Sequence, residues 1–120
     1  MIIKTKSVQA KNEKSDGIRI CIMRRIRPEF VFDIWMPTLA PSTELLKSYH
    51  DRRIDWKKYE RRFAKEVLNR NQKYLDIVLD ISQKDILTLL CWEDTPEMCH
   101  RRLVAEHLKK INPLINFSLK

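Results

Sequence analysis

Glycine is almost absent: the chain of 120 residues holds one, Gly17. Loops that cradle phosphate on bare backbone need several glycines at set spacing, so neither a dinucleotide fingerprint nor a Walker loop can be written here. Long apolar runs are missing too, and none approaches the roughly 18 residues of a membrane span. Met1-Ile2-Ile3-Lys4 is too short and too soon charged to open a signal peptide. Cysteine is scarce, with three residues and no scaffold spacing. That fits a reducing cytoplasm better than a disulfide framework, and no membrane partner is expected.

Charge is what the chain has in excess. Hydrophobic residues at 43% and charged ones at 33% fit a globular domain, and the formal net charge is +8. The length suits a single domain, 1–120, with a real core. Such a surface favours polyanions or anionic small molecules, or is simply a solvated basic face.

Ile2–Val8 alternates apolar and polar residues and reads as a first strand; Gln9–Asp16 is a polar loop ending at Gly17. Ile18–Met23 is rich in β-branched residues and reads as a second strand, with Cys21 packed among isoleucines. The basic run Arg24-Arg25-Ile26-Arg27-Pro28 follows, and Glu29–Pro41, with Phe30, Phe32 and Trp35, reads as an aromatic-anchored loop. A short helix is expected from Ser42 or Thr43 to His50, which stabilises its end. Asp55 caps a second helix with the apolar stripe Trp56, Tyr59, Phe63, Val67 and a basic side of Lys57, Lys58, Arg61, Arg62 and Lys65. Gln72–Ser82 reads as a third, burying Tyr74, Ile77, Val78 and Ile81. Beyond Pro113, Leu114–Leu119 offers a short edge strand.

The stretch Ile86–Lys110 is the most informative. Ile86–Cys91 is an unbroken apolar run, the pattern of a strand buried on both faces of a parallel sheet. Asp94 or Thr95 can cap a following helix, Pro96 suits its first position and Glu97 its first turn. The expected class is therefore α/β: a small, mostly parallel sheet of about four strands flanked by helices, three-layer or Rossmann-like. With the Ile18 and Ile86 strands parallel, Arg24 and Cys91 leave the same sheet edge, where ligands bind in open α/β sheets.

The segment Cys91-Trp92-Glu93-Asp94-Thr95-Pro96-Glu97-Met98-Cys99-His100-Arg101 resembles the signature of the family catalogued as domain of unknown function 488: Cys-x-Glu, a proline, then Cys-His-Arg. Gly17-Ile18-Arg19, Trp35, Leu39-Ala40-Pro41-Ser42, His50-Asp51, Trp56 and Tyr59 resemble the small one-domain branch of that family. Two departures stand out. Met23 precedes Arg24 where the branch usually has an acid, and Ile26-Arg27-Pro28-Glu29 replaces a Trp-Pro-Arg-Gly run. The resemblance implies a compact α/β fold and a site at the motif, and no particular reaction.

Several roles are open to these residues. Arg24 and Arg101, with the N–H groups of the helix start, could seat a phosphate, a nucleotide or a carboxylate. Arg101, expected at the rim, could instead pair with Glu93 or Asp33. Cys91 and Cys99 are candidate nucleophiles and Glu93 and His100 candidate acid–base groups. A phosphatase-type loop would need arginine where Glu97 stands. Helix projection exposes Cys99 on the first turn, so it is expected to be the most reactive thiol, with Cys91 slow and Cys21 silent. The same projection buries Val104, Leu108 and Ile111 and turns His100 and Arg101 towards the strand exits. Adjacent Cys99 and His100 would point about 100° apart on a helix, so no metal is favoured there; no other cofactor is indicated, and His107 reads as a surface residue. The function expected is an anion- or nucleotide-binding or catalytic crevice at the strand ends. The alternative is a nucleic-acid-binding module using the basic helix face and Arg24–Arg27.

Overall fold

The alternating and apolar runs assemble into one parallel sheet. The computed structural model describes residues 1–93 and 97–119. Five strands, β1 (Ile2–Ser7), β2 (Ile18–Cys21), β3 (Ile34–Trp35), β4 (Leu87–Cys91) and β5 (Asn116–Leu119), lie in the order β3-β2-β4-β1-β5. Every neighbouring pair is parallel. Four helices flank them: α1 (Thr43–His50), α2 (Trp56–Phe63), α3 (Gln72–Lys84) and α4 (His100–Ile111). This is the α/β class expected, with five strands where about four were counted from pattern.

β4 is central, and all five of its residues are buried. The register sets Leu87 beside Ile3 and Ile18, and Cys91 beside Ser7. Gly17 makes that pairing possible. Its φ is +65°, and a Cβ there would lie 2.0 Å from the Ile86 carbonyl oxygen, so only glycine lets the chain turn so closely into β2.

Ile3, Ile20, Ile22, Leu87 and Leu89 alternate onto one face and join a single core with all four helices. Ser42 and Asp55 cap α1 and α2 through the amides of Leu45 and Lys58, as their residue types predict. α2 buries Tyr59 and Phe63 and runs on into a π-helical turn, Ala64–Leu68, that buries Val67. The other face of the sheet carries a buried ionic cluster. Asp16 accepts from Lys6 at 3.1 Å and pairs with Arg19, while Thr88 donates to the Asp16 carbonyl oxygen at 2.7 Å.

Three expectations are corrected. Within Glu29–Pro41 lies a strand, β3, held by Asp33 N–H to the Arg19 carbonyl and Met36 N–H to the Cys21 carbonyl, each at 2.8 Å. A two-residue strand carries no periodicity, and only its pairing defines it. α3 buries Leu75, Val78 and Ser82, while Tyr74 and Ile77 are exposed. Both phases of that helix offer aliphatic residues, and the sheet's position selects one. On α4, Val104 and Leu108 are buried as projected, but Ile111 is exposed at the last turn. Among the described residues no helix is long and apolar enough to cross a membrane.

Candidate functional site

Because the strands are parallel, the exits of β1, β2 and β4 share one edge, and the chain after each one meets there. Ser7 Oγ and Gln9 Nε2 both donate to the Trp92 carbonyl, at 3.1 and 2.8 Å, which ties the loop after β4 to the loop after β1. α4 starts at His100, later than expected, with Cys99 as its cap residue in extended conformation (φ −132°, ψ 142°). The proposed caps Asp94 and Thr95, and Pro96, lie outside the described residues.

That late start corrects the picture of the site. Cys99 is not on the helix, so the divergence expected between Cys99 and His100 does not arise. Both side chains instead turn inward to Cys91. Cys99 is buried, not the exposed thiol expected, and it forms a disulfide with Cys91. The expectation of unpaired cysteines is corrected with it. Cys21 is the remaining cysteine, buried on β2, where burial pushes its thiol up.

His100 is held from two sides. Its Nε2 lies 2.6 Å from the Ile22 carbonyl oxygen. A carbonyl can only accept, so Nε2 carries the proton and Nδ1 presents its lone pair. Nδ1 lies 3.7 Å from Cys91 Sγ, and Glu93 Oε2 lies 3.1 Å from the same sulfur. Burial, with the Arg101 charge beside it, drives the His100 pKa down to about 4, and the Ile22 hydrogen bond only partly opposes this. The imidazole is therefore neutral at neutral pH.

The two candidate anion ligands fare differently. Arg24 is exposed and steadied by Nε donating to the Pro41 carbonyl at 2.8 Å. Arg101 is not at the rim: it is 0% exposed and donates to the Glu93 carbonyl at 2.8 Å. It shapes the loop from below, and the expected pairing with the Glu93 carboxylate is a bond to that residue's backbone. Asp33, the other partner considered, accepts from the Arg19 amide.

Above the sulfur, imidazole and carboxylate opens a cleft of about 520 Å³. Arg24, Arg25 and Arg27 line it, with Phe30, His50 and Trp92. Trp92 and Phe30 lie 6.0 Å apart between centroids, and the Arg27 guanidinium sits 4.8 Å over the Trp92 ring. A smaller chamber of about 200 Å³, lined by Tyr49, Trp56, Tyr59, Met98 and Cys99, shares His50, Glu93 and His100 with the cleft. Trp92 and Phe30 escaped the sequence reading as site residues, and Arg27 entered it only within the basic run of the nucleic-acid alternative. Trp92 stood inside the motif, but its pairing with Phe30 depends on two loops meeting.

Fold and site define a parallel α/β protein with a sulfur–imidazole–carboxylate cluster at the carboxyl edge of its central strand. The chain belongs to the DUF488 family: the family model DUF488-N3a, described as the active DUF488-N3 subclade, matches residues 3–112. It is similar to the uncharacterized protein YeaO of Escherichia coli K12, with 28% identity over 116 residues, covering 92% of this chain and all of that protein. No solved structure matches.

Proposed function

We propose that this protein binds an anionic small molecule of the nucleotide class in the cleft and acts on it with the groups at its floor. One observation carries the reading: a wall of packed aromatic and arginine side chains meets Cys91, Glu93 and His100 at the exit of β4. Aromatic faces stack on bases, and guanidinium groups pair with phosphate in a fork. Arg24 supplies charge at the rim; Arg101 positions Glu93 through its carbonyl. Glu93 and the neutral His100 serve as acid–base groups and, once the Cys91–Cys99 bridge is reduced, one of its thiols as nucleophile. The cytoplasm is the compartment we assign, since a reducing medium opens the Cys91–Cys99 bridge and makes its thiols available.

Thermal melts with AMP, ATP and inorganic phosphate test this. A ligand at about a hundred times its Kd stabilises by about 2.7 kcal/mol, enough to raise the midpoint by several degrees. The shift should vanish in Arg24→Ala and Trp92→Ala, with the unliganded midpoint of each little changed. No shift in the wild type at millimolar ligand overturns the reading.

A second reading rests on a separate feature. Arg52, Arg53, Lys58 and Arg61 line an open hollow of about 830 Å³ that shares His50 with the cleft and both Tyr49 and His50 with the smaller chamber. Arg52 holds a left-handed backbone (φ 60°) there. A basic hollow of this kind fits the phosphate backbone of a nucleic acid.

A further inference from the structure

We propose that, with the Cys91–Cys99 bridge reduced, Cys91, Cys99 and His100 hold a Zn2+ ion at the floor of the cleft, its fourth position open beside Glu93. Among the described residues these three place one donor atom each within 4.8 Å of one another, and all three are buried. The donor set is two sulfurs and an imidazole nitrogen, the soft set that suits zinc.

The spacing fits a shared ion. Zinc bonds of about 2.3 Å to sulfur and 2.0–2.1 Å to nitrogen, at a tetrahedral angle, put the two donors about 3.6 Å apart. Cys91 Sγ and His100 Nδ1 are 3.7 Å apart. The Cα atoms of Cys91 and Cys99 are 7.5 Å apart, wider than the roughly 4.4–6.8 Å usual for a bridged pair. Two thiolates sharing a metal stand further apart than two bonded sulfurs, and this backbone already gives them that room.

The surroundings are those of a metal-binding imidazole. A ligating histidine almost always donates its other ring N–H to a carboxylate or carbonyl, which fixes the tautomer and aims the lone pair. The Ile22 carbonyl, 2.6 Å from Nε2, does this for His100. Three protein ligands with an open fourth position mark a catalytic zinc, not a structural one. Here the open side is the junction of the two chambers, where both meet Glu93 and His100. An ion there would activate a water or polarise an anionic ligand, with Glu93 beside it to take a proton.

The chemistry balances with a dithiol reductant. The Cys91–Cys99 sulfur–sulfur bond takes two electrons and two protons from the dithiol, which leaves as its own disulfide. Two protons then depart from the two cysteine thiols as Zn2+ binds. The inference rests on these three donors and holds whether or not the cleft takes a nucleotide. With the ion bound, the two thiolates and His100 act as ligands in place of the nucleophilic and acid–base roles given above, and Glu93 alone keeps its own.

The full chain, reduced with a phosphine that does not bind zinc, is incubated with Zn2+ and passed through gel filtration against a weak competing chelator. Elemental analysis should find one zinc per chain. Co2+ in place of Zn2+ should give an intense thiolate-to-cobalt absorption and the visible bands of a tetrahedral ion. Cys91→Ser, Cys99→Ser and His100→Ala should each lower zinc affinity by about tenfold or more, while Cys21→Ala keeps it. A reduced wild type that emerges without zinc, or with cobalt bands lacking thiolate absorption, overturns the proposal however the variants fold. So does zinc held equally well by Cys91→Ser and Cys99→Ser.

Discussion

Arg101 shows how one residue changes meaning with burial. A guanidinium at a rim costs little to keep, but one at 0% exposure must be hydrogen-bonded inside the protein. Its bond to the Glu93 carbonyl fixes the loop that carries Glu93 to the sulfur of Cys91. Arg101→Ala removes the largest fully buried side chain and leaves polar partners and a cavity behind. We expect it to lower stability by about 2–4 kcal/mol, read as an earlier midpoint in urea. Arg101→Lys should recover little of the loss, because an ammonium cannot copy the guanidinium fork. A variant as stable as the wild type would return Arg101 to the role of a rim ligand. Cys99 changes meaning for a related reason: one residue outside the helix, it turns inward and is buried.

At the scale of elements, Lys6 of β1, Arg19 of β2 and Thr88 of β4 all meet Asp16, at the end of the loop before β2. Burial alone would raise the Asp16 carboxyl. The Glu13 amide and the Lys6 and Arg19 side chains outweigh it and hold the carboxyl below its ordinary value of 3.8. A carboxylate depressed in the folded state adds stability that is fully present above its unfolded pKa. That stability drains away as pH falls through 3.8 towards the folded value. Urea midpoints taken from pH 6 downward should therefore fall in the wild type on the acid side of about pH 4. Asp16→Asn should start lower and lose less over that range. Parallel curves for the two proteins would show that the cluster does not set the acid limit.

For the whole molecule, the net charge of +8 gives long-range attraction for polyanions, and ion pairing decides where it is available. Arg62 is engaged by Glu66 at 2.7 Å, whereas Arg53, Lys58 and Arg61 line the basic hollow. If the hollow seats a nucleic-acid backbone, affinity should fall steeply with salt, and the Glu triple variant at 53, 58 and 61 should abolish it. Neutralising three phosphate contacts corresponds to a slope of about −2.7 in log affinity against log salt for duplex DNA. Fluorescence anisotropy with a labelled duplex across salt concentrations gives that slope. Binding that ignores both salt and the triple variant would leave the basic surface as solvation only.

The sequence by itself determined the parallel sheet, the shared direction of β2 and β4, the two capped helices and the sheet edge at which Ile86–Cys91 exits. Each depends on local pattern: a run buried on both faces, alternation, an N-cap oxygen, or a chain direction that parallel pairing imposes. The motif also marked Cys91, Glu93, Cys99 and His100 before any contact between them was visible. Tertiary structure alone decided how those four groups meet. The backbone at Cys99 is extended where periodicity projected a helix, and one change in φ and ψ turns a side chain from solvent to the core. It decided also that Arg101 is buried, that two residues of an aromatic loop extend the sheet, and that Trp92 packs beside Phe30 in the cleft wall. These outcomes depend on which segments lie against one another, and such long-range packing leaves no period in the chain to read.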